Sequence, residues 1–505
     1  SATTRAPSRS SRPRSDRRCN RSAEAMPTDA PYVELKGAQA QTDASSSWRF
    51  ILLLAVVALA SGIANGYNGT VLEGAIPRLQ FQGEMVAPLE TGLLAGALSL
   101  GGLLGSLLCS ELATALSRRS LVVAGELTIV TGVLLLATSG TIGPVGTFYQ
   151  AIVGRTLTGI GVAVCGLAKP LIVSELAPPA RRGLLVCLFA VGQSLGMNVF
   201  FLTDFALPPP TVSWAWRVLV MLGATPAITV ICLAFVFKDD HGNSPPGYWD
   251  VPQRRKAGGA QVSGGALTTL RRMLTTEPPL VRRNFGLVIA LMVGYNLSGT
   301  LVISIYASDI LGDTTRRLPI FIGLVQLVGL VSGTTLVDRL GRRPLLICSC
   351  AVTTLGLFAM YGILGLHTSV HHDHGVGALN TTQGVVATHG RLLGYHGPAA
   401  AAETWVLLIL MMVVEYAVGA GLNPVRIVLS AELMPNAYRP LGMSLGNACG
   451  WSLSLASLLL YPLASAAVGG PAPQFFFFGC VVASLTALLV WQLPETKGID
   501  FRADG

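Results

Sequence analysis

The chain has 505 residues, of which 51% are hydrophobic and only 12% are charged. Soluble globular proteins carry about 25% charged residues, so this composition excludes an ordinary soluble domain. The net charge of +9 does not call for a nucleic-acid partner, because the cations of the polar segments outside the apolar stretches account for it.

The polar residues are concentrated in clusters that separate apolar stretches of about 20 residues, the length at which an α-helix crosses ~30 Å of hydrocarbon. Backbone groups in lipid must be hydrogen-bonded internally, so these stretches predict helices and not strands. The sequence predicts twelve spans, at residues 50–75, 90–110, 120–140, 148–174, 184–205, 215–237, 284–311, 317–337, 344–366, 404–430, 440–464 and 474–492.

Three polar segments divide the chain. Residues 1–48 are rich in Ser, Ala and Arg, which predicts a disordered basic N-terminal tail or, alternatively, a targeting segment. Residues 238–283 combine Gly, Pro and Ser with basic clusters and predict a cytoplasmic linker. Six-helix bundles are therefore predicted at 49–237 and 284–492, with a short cytoplasmic tail at 493–505.

The loop cations are distributed unevenly. If the N-terminus is cytoplasmic, the inner loops and the linker hold most of them, and the outer loops hold Arg78, Arg316, Arg317 and Arg391. Cytoplasmic loops carry the excess of Lys and Arg in membrane proteins, so this asymmetry predicts that both termini are cytoplasmic.

The two halves of the chain repeat each other. Residues 169–183 read KPLIVSELAPPARRG and residues 426–440 read RIVLSAELMPNAYRP, so that Glu175 aligns with Glu432 without a gap. Many secondary carriers consist of two such copies with the solute path between them. A second pair of segments also corresponds: Ser117-Arg118-Arg119 and Gly341-Arg342-Arg343.

A series of short motifs extends along the spans. They are Gly66-Tyr67-Asn68-Gly69, Gly154-Arg155, Glu175 with Pro178 and Arg182-Gly183, Trp216-Arg217, Leu297-Ser298-Gly299, Asp338-Arg339-Leu340-Gly341-Arg342-Arg343 and Pro494-Glu495-Thr496-Lys497-Gly498. In this order and spacing, the sequence resembles the sugar-porter branch of the major facilitator superfamily over about residues 50–500.

The resemblance implies an all-α membrane protein with twelve transmembrane helices in two pseudo-symmetric six-helix bundles. It implies a transporter that moves a small polar solute by alternating access. We find no nucleophile–base set or phosphate loop in the sequence, so we predict no enzymatic activity and no cofactor.

A charge network is expected where the loops meet the cytoplasmic helix ends. Ion pairs there would close the cytoplasmic side and break when it opens; helix-end pairing without gating is the alternative. The candidates are Arg118, Arg119, Glu175, Arg182, Asp338, Arg339, Arg342, Arg343, Glu432 and Arg439, and Arg155, which lies within the fourth span, is counted with this charge network.

Most sugar contacts of the resembled family are altered here. The paired glutamines that precede Leu-Ser-Gly in the seventh helix are replaced by Tyr295 and Asn296. Gln326 and Trp451 keep family positions, and Gln193 lies three residues from another. Together with Asn68, these residues are the candidates for solute binding.

Lys169 and Arg426 occupy equivalent positions in the fourth and tenth spans, each six residues before the repeated glutamate. Charges at this depth are candidate functional groups. One cation from each half predicts an anion-binding site. The alternatives are internal pairing, with Glu73, Glu126 or Glu415 as partners, and snorkelling along the helix.

Asn68 bears on energetic coupling. The resemblance implies that proton-coupled members carry Asp at this position, paired with the fourth-helix arginine (Arg155 here), and that facilitative members carry Asn. We therefore expect facilitated diffusion or exchange. Glu73 is the one first-helix carboxylate that could replace the missing acid.

The expected partners are the lipid bilayer and a small solute: a sugar, a polyol or an organic anion. The alternative functions are a non-transporting sensor and a structural subunit of a membrane complex. The plasma membrane is favoured over an organelle membrane. Six of the seven histidines lie between His367 and His396 without ligand spacing, so we predict no metal site.

Overall fold

The structure, a computed structural model, describes residues 48–81, 88–139, 147–176, 182–208, 212, 214–236, 270–271, 275, 278–311, 318–373, 398–434, 438–468 and 470–493. Within these ranges, 12 helical segments are long and apolar enough to cross a membrane. The predicted fold class is confirmed. Most of the N-terminal tail, most of the linker and most of the His-rich segment lie outside the described residues, so the domain boundaries stay predictions.

The helices of the first half are α1 (Trp48–Phe81), α2 (Pro88–Ala115), α3 (Arg118–Ala137), α4 (Thr147–Leu176), α5 (Arg182–Ala206), α6a (Ala215–Leu222) and α6b (Thr225–Val236). Those of the second half are α7a (Pro279–Asn296), α7b (Thr300–Leu311), α8 (Pro319–Leu340), α9 (Arg342–Asp373), α10a (Pro398–Ala417), α10b (Asn423–Glu432), α11 (Arg439–Val468) and α12 (Ala472–Gln492). We call the membrane side at which α1 begins and α12 ends the terminal face, and the opposite side the distal face.

Glycines allow neighbouring helices to approach closely. A Cβ atom on Gly154 of α4 would lie 2.7 Å from the backbone nitrogen of Leu136 and 2.8 Å from the carbonyl oxygen of Gly132, both in α3. Lipid supplies no hydrophobic drive between helices, so association depends on this close packing of small residues. A larger side chain at Gly154 would separate α3 from α4.

The seventh span, predicted as one helix, is broken between α7a and α7b. Gly299 has a φ of 82°, a conformation that favours glycine. The hydroxyl of Ser298 donates a hydrogen bond to the carbonyl of Tyr295 at 2.7 Å and lies 3.1 Å from Thr300 Oγ1. The break therefore retains its hydrogen bonds inside the membrane-spanning region.

The tenth span contains a π-helical turn, Val418–Leu422, between α10a and α10b. Ser349 of α9 supports this turn: its hydroxyl donates to the carbonyl of Ala417 at 2.7 Å and accepts from the backbone nitrogen of Leu422 at 3.0 Å. Such turns change the direction in which the following side chains point, and they are frequent at functional sites.

The two halves meet along two seams. In the first, Asn447 of α11 donates to Ser106 Oγ of α2 at 2.8 Å, and Ser444 donates to the Ser106 carbonyl at 2.7 Å. In the second, Asn198 of α5 donates to the carbonyl of Gly323 in α8 at 3.0 Å. These contacts fix α2 against α11 and α5 against α8.

Eight helices form a closed ring through these seams. Within the first half, α2 packs on α4, α4 on α1 and α1 on α5; within the second, α8 packs on α10, α10b on α7a and α7a on α11. The ring places α1, α4, α7 and α10 between the seams, where they surround the space between the halves.

Candidate functional site

Arg155 links α4 to α1 through the backbone. Its Nη1 donates a hydrogen bond to the carbonyl oxygen of Asn68 at 2.8 Å, and the side chain is only 1% exposed. Nε has no hydrogen-bond partner, and none of the described carboxylates pairs with this guanidinium. The positive charge is therefore met by a peptide dipole and not by an acid.

The amide of Asn68 points away from Arg155. Its Nδ2 donates to the carbonyl of Ala64 at 2.9 Å and to the carbonyl of Gly223 at 3.0 Å. Gly223 lies at the break between α6a and α6b, where a backbone acceptor needs a donor. Tyr67 makes a parallel contact, with its hydroxyl donating to the Leu219 carbonyl at 2.8 Å. Both side chains fasten α1 to the sixth span.

Lys169 forms a buried ion pair with Glu126 of α3. The two side chains are 2% and 0% exposed. Of the alternatives open for Lys169, the structure shows internal pairing, with Glu126 as the partner. The pair lies between α3 and α4, inside the first half.

Arg426, the pseudo-symmetric cation, has a different environment. Its guanidinium carbon lies 4.0 Å from the ring centroid of Tyr295 in α7a. Nη1 contacts Met292 Sδ at 3.0 Å and Nη2 donates to Asn423 Oδ1 at 3.2 Å, while Nε lacks a partner. Arg426 is half-buried and pairs with none of the described carboxylates.

Gln326 of α8 connects the two halves. Its Nε2 donates to Glu415 Oε2 in α10a at 2.7 Å, and its Oε1 accepts from Ser194 Oγ of α5 at 3.4 Å. Glu415 is fully buried, and its Oε1 has no partner. The Gln326 side chain therefore bonds both to α5, across the α5–α8 seam, and to the Glu415 carboxyl group of α10a. Movement of one half against the other would change these hydrogen bonds.

Asn296 and Trp451 belong to the α7–α11 side of the ring. Asn296 Oδ1 accepts from Ser454 Oγ of α11 at 2.7 Å, and the Trp451 indole packs against Gly102 of α2. The indole Nε1 is buried without an acceptor. Gln193, the remaining candidate for solute binding, is exposed on α5.

The charge network at the terminal face is described in part. Arg343 Nη2 donates to the carbonyl of Val490 near the end of α12 at 2.8 Å. Arg119 begins the membrane-spanning part of α3, Arg339 lies in the last turn of α8, and Arg342 begins α9. The remaining members have side chains outside the described residues, and their gating role stays a prediction: Arg118, Glu175, Arg182, Asp338, Glu432 and Arg439.

Sequence reasoning missed the contact between Glu73 and Ser308. The hydroxyl of Ser308 in α7b donates to Glu73 Oε1 in α1 at 3.0 Å, near the distal face. The sequence alone suggests Glu73 only as a partner for a cation or as a proton carrier. The contact could have been inferred from two features of the sequence. Glu73 lies near the end of the first span, and a polar residue lies near the end of the seventh.

Comparison with known proteins decides the family. The sequence profile described as "Sugar (and other) transporter" matches residues 53–240 and 254–503. The chain belongs to this family. Sugar transporters are not enzymes, and twelve apolar helices make this one an integral, multi-pass membrane protein.

Similar sugar transporters occur in distant organisms. The "Solute carrier family 2, facilitated glucose transporter member 10" of Danio rerio is 24% identical, over 89% of this chain and 90% of its own length. The "Probable polyol transporter 4" of Arabidopsis thaliana is 23% identical, over 91% and 85%. The "Galactose-proton symporter" of Escherichia coli K12 is 25% identical, over 89% and 92%.

The fold is shared with a solved structure of this class. The "Inward open conformation of the xylose transporter XylE from E. coli" aligns with a TM-score of 0.67 at 20% identity. The alignment covers 89% of this chain and 97% of that one. At this identity, the likeness establishes the major facilitator fold.

Proposed function

We propose that this sugar transporter moves a small polyhydroxylated solute by alternating access, without coupling to protons. The ring of eight helices supports alternating access, because the main contacts between its two halves in the described residues lie along the two seams and between α1 and α7b. A carrier of this kind exposes one central site to each side of the membrane in turn.

The observation that carries the proposal is a set of unsatisfied polar atoms on the second-half side of the ring. Trp451 Nε1, Glu415 Oε1 and Arg426 Nε are buried without partners. Buried polar groups are costly when unpaired, so a bound ligand with several hydroxyls would satisfy them. We propose Tyr295, Asn296, Gln326 and Trp451 as solute contacts, with Gln193 facing them from α5; Lys169 is excluded from this group because Glu126 occupies it.

Asn68 and Arg155 support transport that is independent of protons. An amide cannot carry a proton, and this one is already engaged with two carbonyls. Arg155 is held by the Asn68 carbonyl, so its contact does not depend on a titrating acid. One relative is named a facilitated glucose transporter and another a galactose-proton symporter. Relatives named for proton-independent and for proton-coupled transport therefore both occur.

Reconstituted protein in liposomes tests the proposal. We expect labelled solute to equilibrate without accumulating, internal unlabelled solute to accelerate its entry, and a protonophore to have no effect. The matched variant Asn68→Asp places a titratable carboxyl group on the residue whose backbone carbonyl binds Arg155, and it should make uptake depend on pH. Accumulation driven by a pH gradient in the wild type would refute proton-independent transport, and ligand binding without uptake of any solute would favour a sensor.

The positive-inside distribution of loop cations supports the proposal that the terminal face is cytoplasmic. A fluorescent protein that matures only in the cytosol, fused after Gly505, tests this orientation. We also propose the plasma membrane as the site of residence. Localisation of the same fusion to an organelle membrane would contradict that placement.

A further inference from the structure

The two pseudo-symmetric cations differ in how their charge is balanced. Lys169 is neutralised by Glu126 within the first half. Arg426 instead contacts a thioether, an amide oxygen and an aromatic face, all of them uncharged. An arginine within a membrane span that has no counter-ion among the described residues is a candidate binding group.

The location of Arg426 points to the space between the halves. It lies on α10b, and its guanidinium packs on Tyr295 of α7a, so both residues belong to the ring. On one side of them, Gln326 reaches Ser194 across the α5–α8 seam. On the other, Trp451 packs on Gly102 across the α2–α11 seam. In the order of the ring, the half-buried guanidinium of Arg426 therefore lies on helices between the two seams.

The geometry of the side chain favours a carboxylate. The Tyr295 ring fixes the orientation of the guanidinium plane, because arginine stacks on aromatic faces. Nε has no partner and Nη1 has only a weak sulfur acceptor. A carboxylate binds one edge of a guanidinium, Nε–H together with the neighbouring parallel Nη–H, through two hydrogen bonds, which a neutral hydroxyl cannot match.

The surrounding groups restrict the rest of the ligand. Asn296, Gln326 and Trp451 offer amides and an indole, which suit hydroxyl groups and the apolar face of a pyranose ring. We propose that Arg426 binds the carboxylate of a sugar acid, such as a hexuronate, and that this protein prefers the acid over the matching neutral sugar. This assignment rests on the proposed function and names its substrate class.

Binding by the purified protein tests the preference directly. Glucose and glucuronate, or galactose and galacturonate, differ only in the oxidation of C6 and form matched pairs for titration calorimetry. We expect the wild type to bind the acid at least about tenfold more tightly, because hydrogen bonds to charged groups are the stronger ones. Equal affinity for both members of each pair would overturn the proposal.

Variants attribute the preference to Arg426. Arg426→Gln should weaken binding of the uronate by about ten- to a hundredfold and that of the neutral sugar by less than about threefold. Arg426→Lys keeps the charge and should retain part of the preference, which separates the loss of charge from misfolding. Arg271→Gln, which removes an exposed cation outside the spans, is the matched control. An equal loss for both sugars in Arg426→Gln would overturn the assignment.

Uptake into liposomes separates this inference from the proposed function. Uronate binding without any transport would support the Arg426 site while contradicting the carrier function. Transport of neutral sugars without preference for the acid would overturn the Arg426 site and leave the carrier function intact.

Discussion

Ser308 of α7b donates a hydrogen bond to Glu73 of α1 across 3.0 Å, and this contact joins the two halves near the distal face. Neither residue belongs to the seams that hold α2 to α11 and α5 to α8. The contact can therefore break without dismantling the interface. Glu73 is 7% exposed, so the separation would open α1 and α7b to solvent at this face.

Ser308→Ala should favour the state that is open at the distal face. A hydrogen bond to a charged group contributes roughly 1.5–3 kcal/mol, enough to shift a two-state equilibrium about tenfold or more. Spin labels at Tyr149 and Trp405, which are 70% and 53% exposed near the distal ends of α4 and α10a, report the change as a longer distance.

The matched control is Ser484→Ala. The hydroxyl of Ser484 donates to a carbonyl of its own helix, Cys480 O at 2.8 Å, in an exposed position. Its removal should leave the label distances unchanged. If Ser308→Ala gives the same distance distribution as this control, the Glu73 contact does not hold the distal face closed.

Arg342→Ala and Glu432→Ala should have the opposite effect on the same labels. The sequence repeat predicts that these residues belong to a charge network at the terminal face, and loss of the network would favour opening there. The distance between labels at Tyr149 and Trp405 should then shorten. Arg271→Ala, which removes a cation from the linker, controls for net charge; identical distances in all three variants would refute the gate.

Removing the Asn68 amide should destabilise the protein more than it affects solute binding. Its Nδ2 donates a hydrogen bond to the Gly223 carbonyl between α6a and α6b. Leaving a buried acceptor unpaired costs about 1–3 kcal/mol. We expect Asn68→Ala to lower the melting temperature and to keep the solute affinity. Thr128→Ala, whose hydroxyl donates to its own helix at 2.7 Å on an exposed surface, should shift stability by less than about 0.5 kcal/mol. A large loss of affinity at unchanged melting temperature would instead place Asn68 in the solute site.

Hydropathy could predict the twelve spans because length and apolarity depend on the chain alone. It could not predict the breaks in the seventh and tenth spans. A gap in a membrane helix is stable only where another group replaces the lost backbone bonds. Ser298 does so from within the seventh span, and Ser349 does so from α9, a partner that only the tertiary structure identifies.

The sequence could predict which residue types form the candidate site better than it could predict which residues they contact. The sequence repeat predicts that Lys169 and Arg426 occupy equivalent positions in the two halves. Their environments differ because α3 supplies Glu126 to one, whereas α7a supplies Tyr295 to the other. The sequence left Glu415 as a possible partner of Arg426, but Glu415 lies before the π-helical turn and Arg426 after it, and Gln326 donates a hydrogen bond to Glu415 instead.

The ion pair between Lys169 and Glu126 should behave as a structural unit. Lys169→Gln leaves Glu126 as a buried carboxylate without its cation, and breaking a buried pair in this way costs about 3–5 kcal/mol. We expect the variant to unfold at a clearly lower temperature in detergent. The reverse change, Glu126→Gln, should have a similar effect because it leaves the ammonium buried and uncompensated.

The double variant Lys169→Gln/Glu126→Gln distinguishes pairing from a direct role in the solute path. It removes both charges together, so its melting temperature should return towards that of the wild type, and the two single losses should not add. Uptake by the double variant should recover as well, since neither side chain is exposed to the space between the halves. A Lys169→Gln protein that keeps the wild-type melting temperature but selectively loses transport of the sugar acid would show that Lys169 contacts the solute. The charge in the first half would then act together with Arg426, as the repeat first suggested.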